Sequence, residues 1–449
     1  MKDPRDYQID AKRGVYKSWR SGHSRTALVV PTGGGKTFIG ALIAIDAVAK
    51  GHKVVWLAHR TELIKQTAQT LSECGVRVGV IAAGFDSDPT APVQVASIQT
   101  LCARDTVRPP ADLIVWDECH HAGESAEEWV KLLDAYPMVH MLGLTATPER
   151  GDGTGLAPIF TDLVVGVTVR KLTQLGYLVP CEIDRPSSWL RYGREGNPLA
   201  QEPLVRYQEI GERRSGFGFA RSVEEAERYA REFTDAGIRS VCVHGKTKDE
   251  ERVAAIELFR EGRVRILWNV YVFTEGTDLP NASVCILATN VGTGGGFLQR
   301  VGRVLRPSPR KTSALLIDLP GVSHLFGPPE DERVYKLTGK GIVLAGQVCR
   351  VCSTPLEEYP CDNCGFMPEP GEGRDAGGTE IVNAPMAKFA RKIAEGPEQR
   401  RETLLRWLRA ARLKGWKAGS VRHKWKAVYG EPLDFGMFVQ ACAEVGYRD

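Results

Sequence analysis

The 449-residue sequence lacks any run of about 18 apolar residues, which argues against a transmembrane helix. Its first residues, 1–6, are polar and lack the apolar core of a secretory signal peptide. A strong excess of one charge is also missing, because 59 Lys and Arg against 55 Asp and Glu leave a net charge of +4. We therefore expect an intracellular protein without a membrane partner, and the overall charge alone implies no other partner.

Disulfides are not expected in an intracellular protein, where cysteines stay reduced or bind metal. Seven of the eleven cysteines are scattered through apolar segments, which predicts buried thiols. The other four form two Cys-x2-Cys pairs with eight residues between them: Cys349, Cys352, Cys361 and Cys364. Four thiolates fit tetrahedral Zn²⁺, so we predict a zinc-binding module over residues 339–368. A redox-active pair is the alternative, although it would need only one of the two pairs.

A glycine-rich loop follows the first apolar strand, Thr26 to Val30, and precedes an apolar helix. The loop reads Pro31-Thr32-Gly33-Gly34-Gly35-Lys36-Thr37, and strand, glycine loop, Lys-Thr and helix together indicate a phosphate-binding P-loop. Backbone N–H groups and the helix N-terminus would bind phosphate oxygens. Lys36 would reach the β- and γ-phosphates of ATP, and the Thr37 hydroxyl would bind Mg²⁺.

Four further apolar runs end in polar residues and alternate with helical stretches, which predicts a doubly wound parallel sheet. One of them, Leu113 to Trp116, is followed by Asp117-Glu118-Cys119-His120. Beside a P-loop, Asp117 would hold Mg²⁺ and Glu118 would orient or deprotonate the attacking water. Acidic pairs at strand ends also serve as helix caps, which is the alternative.

The second half repeats the alternation without a P-loop, because Gly294-Gly295-Gly296 lacks a following Lys-Thr. We expect this second glycine triplet to form a turn before a helix at Phe297. Arg303 and Arg306 are three residues apart, which would place both on one helical face that can point into a cleft between the two halves of the chain. There they would stabilise the charge that develops on a transferred phosphoryl group, whereas a solvent-exposed helical face is the alternative.

Seven segments in order resemble the motifs of superfamily 2 helicases of the DEAD/DEAH type, most of all the RadD-like and UvsW-like bacterial and phage DNA helicases. The segments are Gln8, Gly33 to Thr37, Asp117 to His120, Thr145-Ala146-Thr147, Gly216 to Ser222, Thr274 to Pro280, and Gln299 to Pro307. The resemblance implies an α/β fold with two RecA-like lobes, at residues 1–175 and 176–338. It also implies that the protein is located in the cytoplasm of a bacterial or phage-infected cell.

The same resemblance assigns roles to individual residues. Gln8, Thr32, Gly33, Gly34, Gly35, Lys36, Thr37, Gly276 and Asp278 would contact the nucleotide, and Lys36, Asp117, Glu118, Arg303 and Arg306 would be catalytic. Nucleic acid would lie across both lobes on Arg60, Thr61, Ser97, Thr247 and Thr274. Hydroxyl groups at strand ends suit sugar–phosphate contacts that read no sequence, but each of these residues could also cap a helix.

The C-terminal part differs in composition from the rest of the chain. Residues 369–380 are typical of a flexible linker, and a basic helical domain is expected over residues 381–449. From Met386 onward, 14 Lys and Arg stand against 7 Asp and Glu. Trp407, Trp416 and Trp425 could stack on bases, but we favour a role in the core of a small helical domain with a basic surface.

The sequence thus predicts an ATP-dependent helicase or translocase that uses ATP, Mg²⁺ and Zn²⁺. It would act on single-stranded, forked or branched DNA in repair, recombination or phage replication. Two alternatives stay open, namely an RNA helicase and a zinc-dependent nucleic-acid-binding scaffold with an idle ATP site.

Overall fold

Two mainly parallel β-sheets contain most of the strands in the computed structural model of the protein. The structure describes residues 3–59, 61–85, 88–103, 108–123, 132–151, 153–157, 159–187, 190, 199–273, 279–338, 342–344, 381–384, 401, 404–405, 408–409, 421 and 433–446. The chain divides into two compact units, Met1–Val382 and Asn383–Asp449. No helix among the described residues has the length and apolar character needed to span a bilayer.

The first sheet and its helices are formed by the N-terminal part of the chain. Its strands are β1 (Arg25–Val29), β2 (Val54–Ala58), β3 (Val78–Ile81), β4 (Val93–Ser97), β5 (Leu113–Asp117), β6 (His140–Thr145) and β7 (Asp162–Val165). The accompanying helices are α1 (Asp6–Arg20), α2 (Lys36–Ala49), α3 (Thr61–Glu73), α4 (Ile98–Ala103) and α5 (Val169–Gln174).

Strand order in the first sheet is β3-β4-β2-β5-β6-β1-β7, and all recorded pairs are parallel. Strand β6 therefore lies between β1 and β5. Val29 at the end of β1 is opposite Thr145, and Asp117 at the end of β5 is opposite Leu144. This order brings the carboxyl ends of three strands together at one edge, where doubly wound sheets bind their ligands.

The second sheet follows along the chain. Its strands include β8 (Cys181–Pro186), β9 (Gly216–Ala220), β10 (Ser240–Val243), β11 (Ile266–Asn269), β12 (Val284–Ala288) and β13 (Ala314–Asp318). Helices of this part are α6 (Pro203–Ile210), α7 (Val223–Asp235), α8 (Asp249–Arg260), α9 (Gly294–Gly302) and α10 (Ser323–Phe326). Short strands follow at β14 (Arg333–Tyr335), β15 (Ile342–Leu344) and β16 (Ile381–Ala384).

Six strands of the second sheet run in the order β10-β11-β9-β12-β13-β8, again with parallel pairs. The two sheets and their helices are called lobe 1 and lobe 2 below. Their parallel strands and intervening helices confirm the predicted α/β class.

Burial on both faces explains why the strands are continuous apolar runs. All five residues of β2 are buried, as expected when helices cover both sides of a parallel sheet. Helix α2 packs so closely on this sheet that a Cβ at Gly40 would lie 2.6 Å from the Trp56 ring. A side chain at position 40 would therefore displace the helix that carries Lys36 and Thr37.

The unit Asn383–Asp449 contains helix α11 (Phe435–Glu444), whose first turn is capped by Asp434. The Asp434 carboxylate accepts a hydrogen bond from the Met437 backbone N–H at 2.8 Å. Buried apolar side chains pack together in this unit: Leu404, Leu405, Leu408, Val421, Leu433, Phe438, Ala441 and Val445. The zinc-module cysteines, the predicted linker and the three C-terminal tryptophans lie outside the described residues.

Candidate active site

The glycine loop lies between strand β1 and helix α2, as its sequence predicted. Gly33 and Gly35 adopt φ angles of 85° and 79°, a left-handed region that favours glycine. The Tyr7 hydroxyl donates a hydrogen bond to the Gly34 carbonyl oxygen at 2.9 Å. A Cβ at Gly35 would lie 2.6 Å from Gln8 Nε2, so a side chain at position 35 would displace that amide.

Two acidic residues at the end of β5 meet the residues that follow the glycine loop. The Thr37 hydroxyl donates to Asp117 Oδ2 at 3.2 Å, and Lys36 forms an ion pair with Glu118. The Glu118 backbone N–H donates to Asp117 Oδ1 at 3.0 Å, with Glu118 at a φ of 54°. A non-glycine residue with this backbone conformation is uncommon and often marks a functional site. Four of the predicted site residues therefore lie together.

Burial and charge act on this cluster in opposite directions. Burial raises the pKa of Asp117 to about 6, while the Lys36 ammonium works to lower it. For Lys36, burial lowers the pKa, but the Glu118 and Asp117 carboxylates outweigh burial and raise it above its usual value. Lys36 therefore carries a positive charge at neutral pH, as a phosphate-binding lysine must.

The Thr37 hydroxyl and the Asp117 carboxylate are oxygen donors of the kind that Mg²⁺ prefers. Within the described residues, no group of three or more His, Cys, Asp or Glu side chains could hold a metal ion. A magnesium ion at Thr37 and Asp117 would thus take most of its ligands from phosphate and water, as it commonly does. The two side chains fit that kind of site.

Arg303 and Arg306 approach the cluster from lobe 2, but not from one helical face as predicted. Helix α9 ends at Gly302, and tighter turns follow, in which the Val304 N–H donates to the Val301 carbonyl at 3.0 Å. Arg303 is only 5% exposed. Both arginines nevertheless line the same cleft as the glycine loop. They therefore point into the cleft as predicted, but from the turns after the helix rather than from a helical face.

The cleft has a volume of about 870 Å³ and is lined from both lobes. A Cβ at Gly302 would lie 3.1 Å from the Thr32 Cβ, and one at Gly33 would lie 3.5 Å from the Arg306 side chain. The lobes thus meet at the glycine loop. Predicted site residues that line the cleft are Gln8, Thr32, Gly33, Gly35, Lys36, Thr37, Asp117, Glu118, Arg303 and Arg306.

At one part of the cleft, Arg5 lies over the Tyr177 ring with its guanidinium carbon 3.6 Å from the ring centroid. Gln8 is 5% exposed, and its Oε1 accepts a hydrogen bond from the Arg5 backbone N–H at 2.9 Å. Arg5 and Tyr177 were not predicted as site residues. Tyr177 is far from the glycine loop in sequence, so no local sequence pattern marks it as part of the cleft lining.

A polar network crosses between the lobes behind Glu118. Gln299 of α9 lies 3.0 Å from His120 Nε2 and 3.3 Å from the Thr147 hydroxyl, measured from its Nε2. His120 Nδ1 lies 3.1 Å from the Thr145 hydroxyl and 3.5 Å from Glu118 Oε2. Both ring nitrogens of His120 therefore have a polar partner, Thr145 within lobe 1 and Gln299 in lobe 2. Sequence reasoning quoted these residues as motif members but assigned them no role.

Three predicted nucleic-acid contacts lie outside the cleft lining. Thr61 begins α3, Ser97 ends β4, and the Thr247 hydroxyl accepts a hydrogen bond from the His244 backbone N–H at 2.9 Å. Ser97 is the last residue of its strand, and Thr61 and Thr247 lie a few residues after the ends of β2 and β10. Arg60, Thr274, Gly276, Asp278 and the cysteines Cys349, Cys352, Cys361 and Cys364 lie outside the described residues.

Tyr271, two residues beyond β11, was also missed by sequence reasoning. Its φ is 56° and it is 63% exposed, which is unusual for a large aromatic residue. The Arg300 guanidinium carbon lies 5.2 Å from the Tyr271 ring centroid and 5.6 Å from that of Phe219. Arg300 is itself 4% exposed, so it supports the ring from within lobe 2.

Comparison with protein families identifies two segments of the chain. Residues 1–150 match "Type III restriction enzyme, res subunit", and residues 201–308 match "Helicase conserved C-terminal domain". A 51.5 kDa protein of a Lactococcus phage is 30% identical over 360 residues, which cover 75% of this chain and 76% of that protein.

Two further relatives are more distant. The "DNA 3'-5' translocase XPB2" of Sulfurisphaera tokodaii is 26% identical over 70% of this chain and 81% of its own length. The "ATP-dependent DNA helicase RecG" of Acidithiobacillus ferridurans is 26% identical over 72% of this chain, but that alignment covers only 48% of RecG.

Solved structures share the fold at low identity. The ATP-dependent Type ISP restriction-modification enzyme LlaBIII bound to DNA matches with a TM-score of 0.53 at 18% identity, covering 70% of this chain and 28% of that one. Saccharomyces cerevisiae Dbp5 bound to RNA and ADP BeF3 gives a TM-score of 0.52 at 17% identity, covering 72% and 88%.

Proposed function

Because the chain belongs to superfamily 2 of the helicases, of the DEAD/DEAH type, we propose that it is an ATP-dependent DNA helicase or translocase. ATP hydrolysis between the lobes would move the protein along DNA or remodel it, in repair, recombination or phage replication. One observation carries the proposal. Lys36, Asp117 and Glu118 of lobe 1 line the same cleft as Arg303 and Arg306 of lobe 2.

The residues of the cleft divide the chemistry of phosphoryl transfer between them. Lys36 would neutralise the terminal phosphates, for which it must exchange its ion pair with Glu118. The carboxylate of Glu118 is then released to orient the attacking water and to accept its proton. When bound, Mg²⁺ at Thr37 and Asp117 would neutralise phosphate charge.

Arg303 and Arg306 would act on the phosphate oxygens from the opposite lobe. Negative charge develops on the transferred group, and a buried cation stabilises it more strongly than an exposed one does. Arg303 is buried, and Gly302 beside it packs closely on Thr32 of the glycine loop. Hydrolysis would therefore require closed lobes, which is the link between chemistry and motion.

Hydrogen bonds behind the nucleotide provide a route between the lobes. His120 bonds to Gln299 with one ring nitrogen and lies near Glu118 with the other. A change in the position of Glu118 on hydrolysis would thus alter a contact that only closed lobes can make. The two residues are 179 positions apart in the chain, so the contact joins the two lobes rather than sequence neighbours.

For nucleic acid we keep the strand-end hydroxyls Thr61, Ser97 and Thr247 as phosphate contacts and add Tyr271. Parallel strands β9, β10 and β11 end at the same edge, so Tyr271 and Thr247 emerge on one side of lobe 2. An exposed ring that is supported by Arg300 can stack on a base of a single strand.

The choice of DNA rests on the relatives, since XPB2 and RecG are described as DNA enzymes. An RNA helicase is the alternative, and Dbp5 shows that the fold also binds RNA. Four further predictions stay part of the proposal: the RadD-like grouping, the lobe boundaries near residue 175 and residue 338, the basic C-terminal domain and the zinc module.

Metal analysis of anaerobically purified protein should give one zinc per chain, and Cys361→Ser should lose it.

Nucleotide hydrolysis tests the proposal directly. Wild type and Glu118→Gln should be compared with single-stranded, duplex and forked DNA and with RNA of the same sequence. DNA-stimulated hydrolysis that Glu118→Gln abolishes supports a DNA helicase. Stimulation by RNA alone would favour the RNA helicase, and no turnover with any of them would favour the scaffold with an idle ATP site.

A further inference from the structure

Glu149 of lobe 1 makes a buried contact with the start of helix α9 in lobe 2. The residue lies in the loop after β6 and is 7% exposed. Its Oε2 accepts a hydrogen bond from the Gly295 backbone N–H at 2.5 Å. The contact spans 146 residues of sequence and joins the two lobes.

The acceptor is suited to its place. The first N–H groups of a helix have no partner within the helix, and the helix N-terminus attracts negative charge. Here the Thr293 hydroxyl accepts from the Gly296 N–H at 3.0 Å, within lobe 2. Glu149 supplies a charged acceptor for the preceding N–H from the opposite lobe.

The glycine triplet provides the space for this contact. A Cβ at Gly295 would lie 2.9 Å from Glu149 Oε2 and 3.2 Å from the Thr147 hydroxyl. At Gly294, by contrast, the nearest atom to a Cβ would be 3.6 Å away, on the Phe326 ring. A side chain at position 295 would therefore displace the Glu149 carboxylate from this contact, whereas one at position 294 would make ordinary contacts.

Helix α9 also carries Gln299 and leads into Arg303. We propose that Glu149 is a positioning residue, which holds the start of α9 when the lobes close and thereby sets Arg303 over the phosphates. Opening of the lobes would break the contact, so Glu149 favours the closed state. This inference rests on the proposed ATP hydrolysis, but it concerns a residue outside the nucleotide cleft lining.

A double-mutant cycle tests it from both sides of the contact. Glu149→Ala, Gly295→Ala and their combination should be compared with wild type for kcat and KM of ATP hydrolysis at saturating nucleic acid. Glu149→Ala should lower kcat about 10- to 100-fold, because a small misplacement of a catalytic group has effects of that order. KM for ATP should change much less, because Glu149 does not line the cleft.

Gly295→Ala should lower kcat similarly, and the loss in the combination should be smaller than the product of the two single losses, because the added Cβ then meets Thr147 but no longer meets Glu149. Gly294→Ala is the matched control and should stay within about twofold of wild type, since its Cβ makes an ordinary contact. Glu149→Gln, which keeps an oxygen acceptor, should recover part of the loss. Such a recovery would not follow from a general effect of side-chain truncation.

Multiplicative effects of the two alanines, or unchanged kcat in Glu149→Ala with an active wild type, would overturn the inference while leaving the proposed function intact. An inactive wild type would instead refute the proposed function. The same proteins are therefore also compared by thermal unfolding, where Glu149 and Gly295 should show non-additive effects. Additive unfolding effects would refute the contact even without activity.

Discussion

Two glycine triplets lie at the starts of two helices, one in each lobe, and they serve opposite purposes. Gly33 to Gly35 precede α2, and two of them have positive φ angles. Gly294 to Gly296 form the first turn of α9 itself, inside the helix. The first triplet shapes a loop, whereas the second allows another chain segment to come close.

The difference lies in which anion each helix start meets. Helix α2 begins with Lys36 and faces a cleft of about 870 Å³, which suits an external phosphate. Helix α9 continues with Phe297, and its N–H at Gly295 is bound by the protein's own Glu149 carboxylate. The same tripeptide thus becomes a ligand site or an internal contact according to its neighbours.

The largest effect is expected at Arg303, which directly follows the far end of α9, the helix that begins with the second triplet. Arg303→Ala should lower turnover by about 10³-fold or more if the residue acts on the transferred phosphoryl group. Nucleotide affinity, measured with a fluorescent ATP analogue, should change much less. A collapse of affinity with turnover preserved at saturation would make Arg303 a ground-state ligand instead.

Next in size are changes beside the first triplet. Glu118→Gln should keep nucleotide binding and lower turnover about 10²-fold or more, because it removes the base for the attacking water. Lys36→Ala, by contrast, should weaken binding as well, since it deletes the charge opposite the phosphates. Hydrolysis near the wild-type rate in Glu118→Gln would contradict the role given to that carboxylate.

Low pH should reduce ATP hydrolysis through Asp117, which lies beside the first triplet and whose pKa is raised to about 6 by burial. Protonated Asp117 cannot hold Mg²⁺, so kcat/KM should be constant above about pH 7 and fall about tenfold by pH 5. Bound Mg²⁺ should shift this dependence to lower pH. A profile that is flat to pH 5 in the absence of excess Mg²⁺ would contradict the raised pKa.

Tyr271 tests whether the α9 helix, through Arg300, also supports the nucleic-acid surface. Tyr271→Asn tolerates the left-handed backbone but removes the ring, and it should weaken single-strand binding about tenfold. Tyr271→Phe should retain the affinity. Equal affinities for wild type and Tyr271→Asn in a titration with 2-aminopurine-labelled DNA would exclude stacking by this residue.

The smallest effects compare the triplets directly. Gly35→Ala should destabilise the fold by about 1–2 kcal/mol, because its positive φ is costly for an L-residue. Gly294→Ala should be neutral or stabilise by up to about 1 kcal/mol, because alanine restricts the unfolded chain at a helical position. Urea unfolding measures both, and equal losses would show that the second triplet also needs glycine for its backbone.

Much of the cleft beside the first triplet could be predicted, because its residues follow recognisable patterns in the neighbouring sequence. One strand was expected at Leu113 to Trp116 and spans Leu113–Asp117 in the structure, since buried parallel strands are continuous apolar runs. Asp117 follows such a run, and strand order then brings it beside the P-loop. Those residues needed only the sequence around them and the rule for parallel sheets.

The second triplet was predicted wrongly, as a turn before the helix, because three glycines have low helix propensity. The caps that offset this cost come from Thr293 and from Glu149, which is 146 residues away. The prediction that Arg303 and Arg306 share one helical face was also wrong, since α9 ends at Gly302. The contact between Glu149 and Gly295 joins distant segments, so no local sequence pattern predicts it.

The place of β1 in its sheet has a consequence for protein synthesis. Ala27 pairs with Gly143 on one side and with Leu163 on the other, so both neighbours of β1 are made long after it. A nascent chain that has not yet reached β6 carries the whole P-loop sequence without the sheet that holds it. Until β6 and β7 have been made, β1 is an apolar strand with two unpaired edges, and segments of that kind are prone to aggregation during folding.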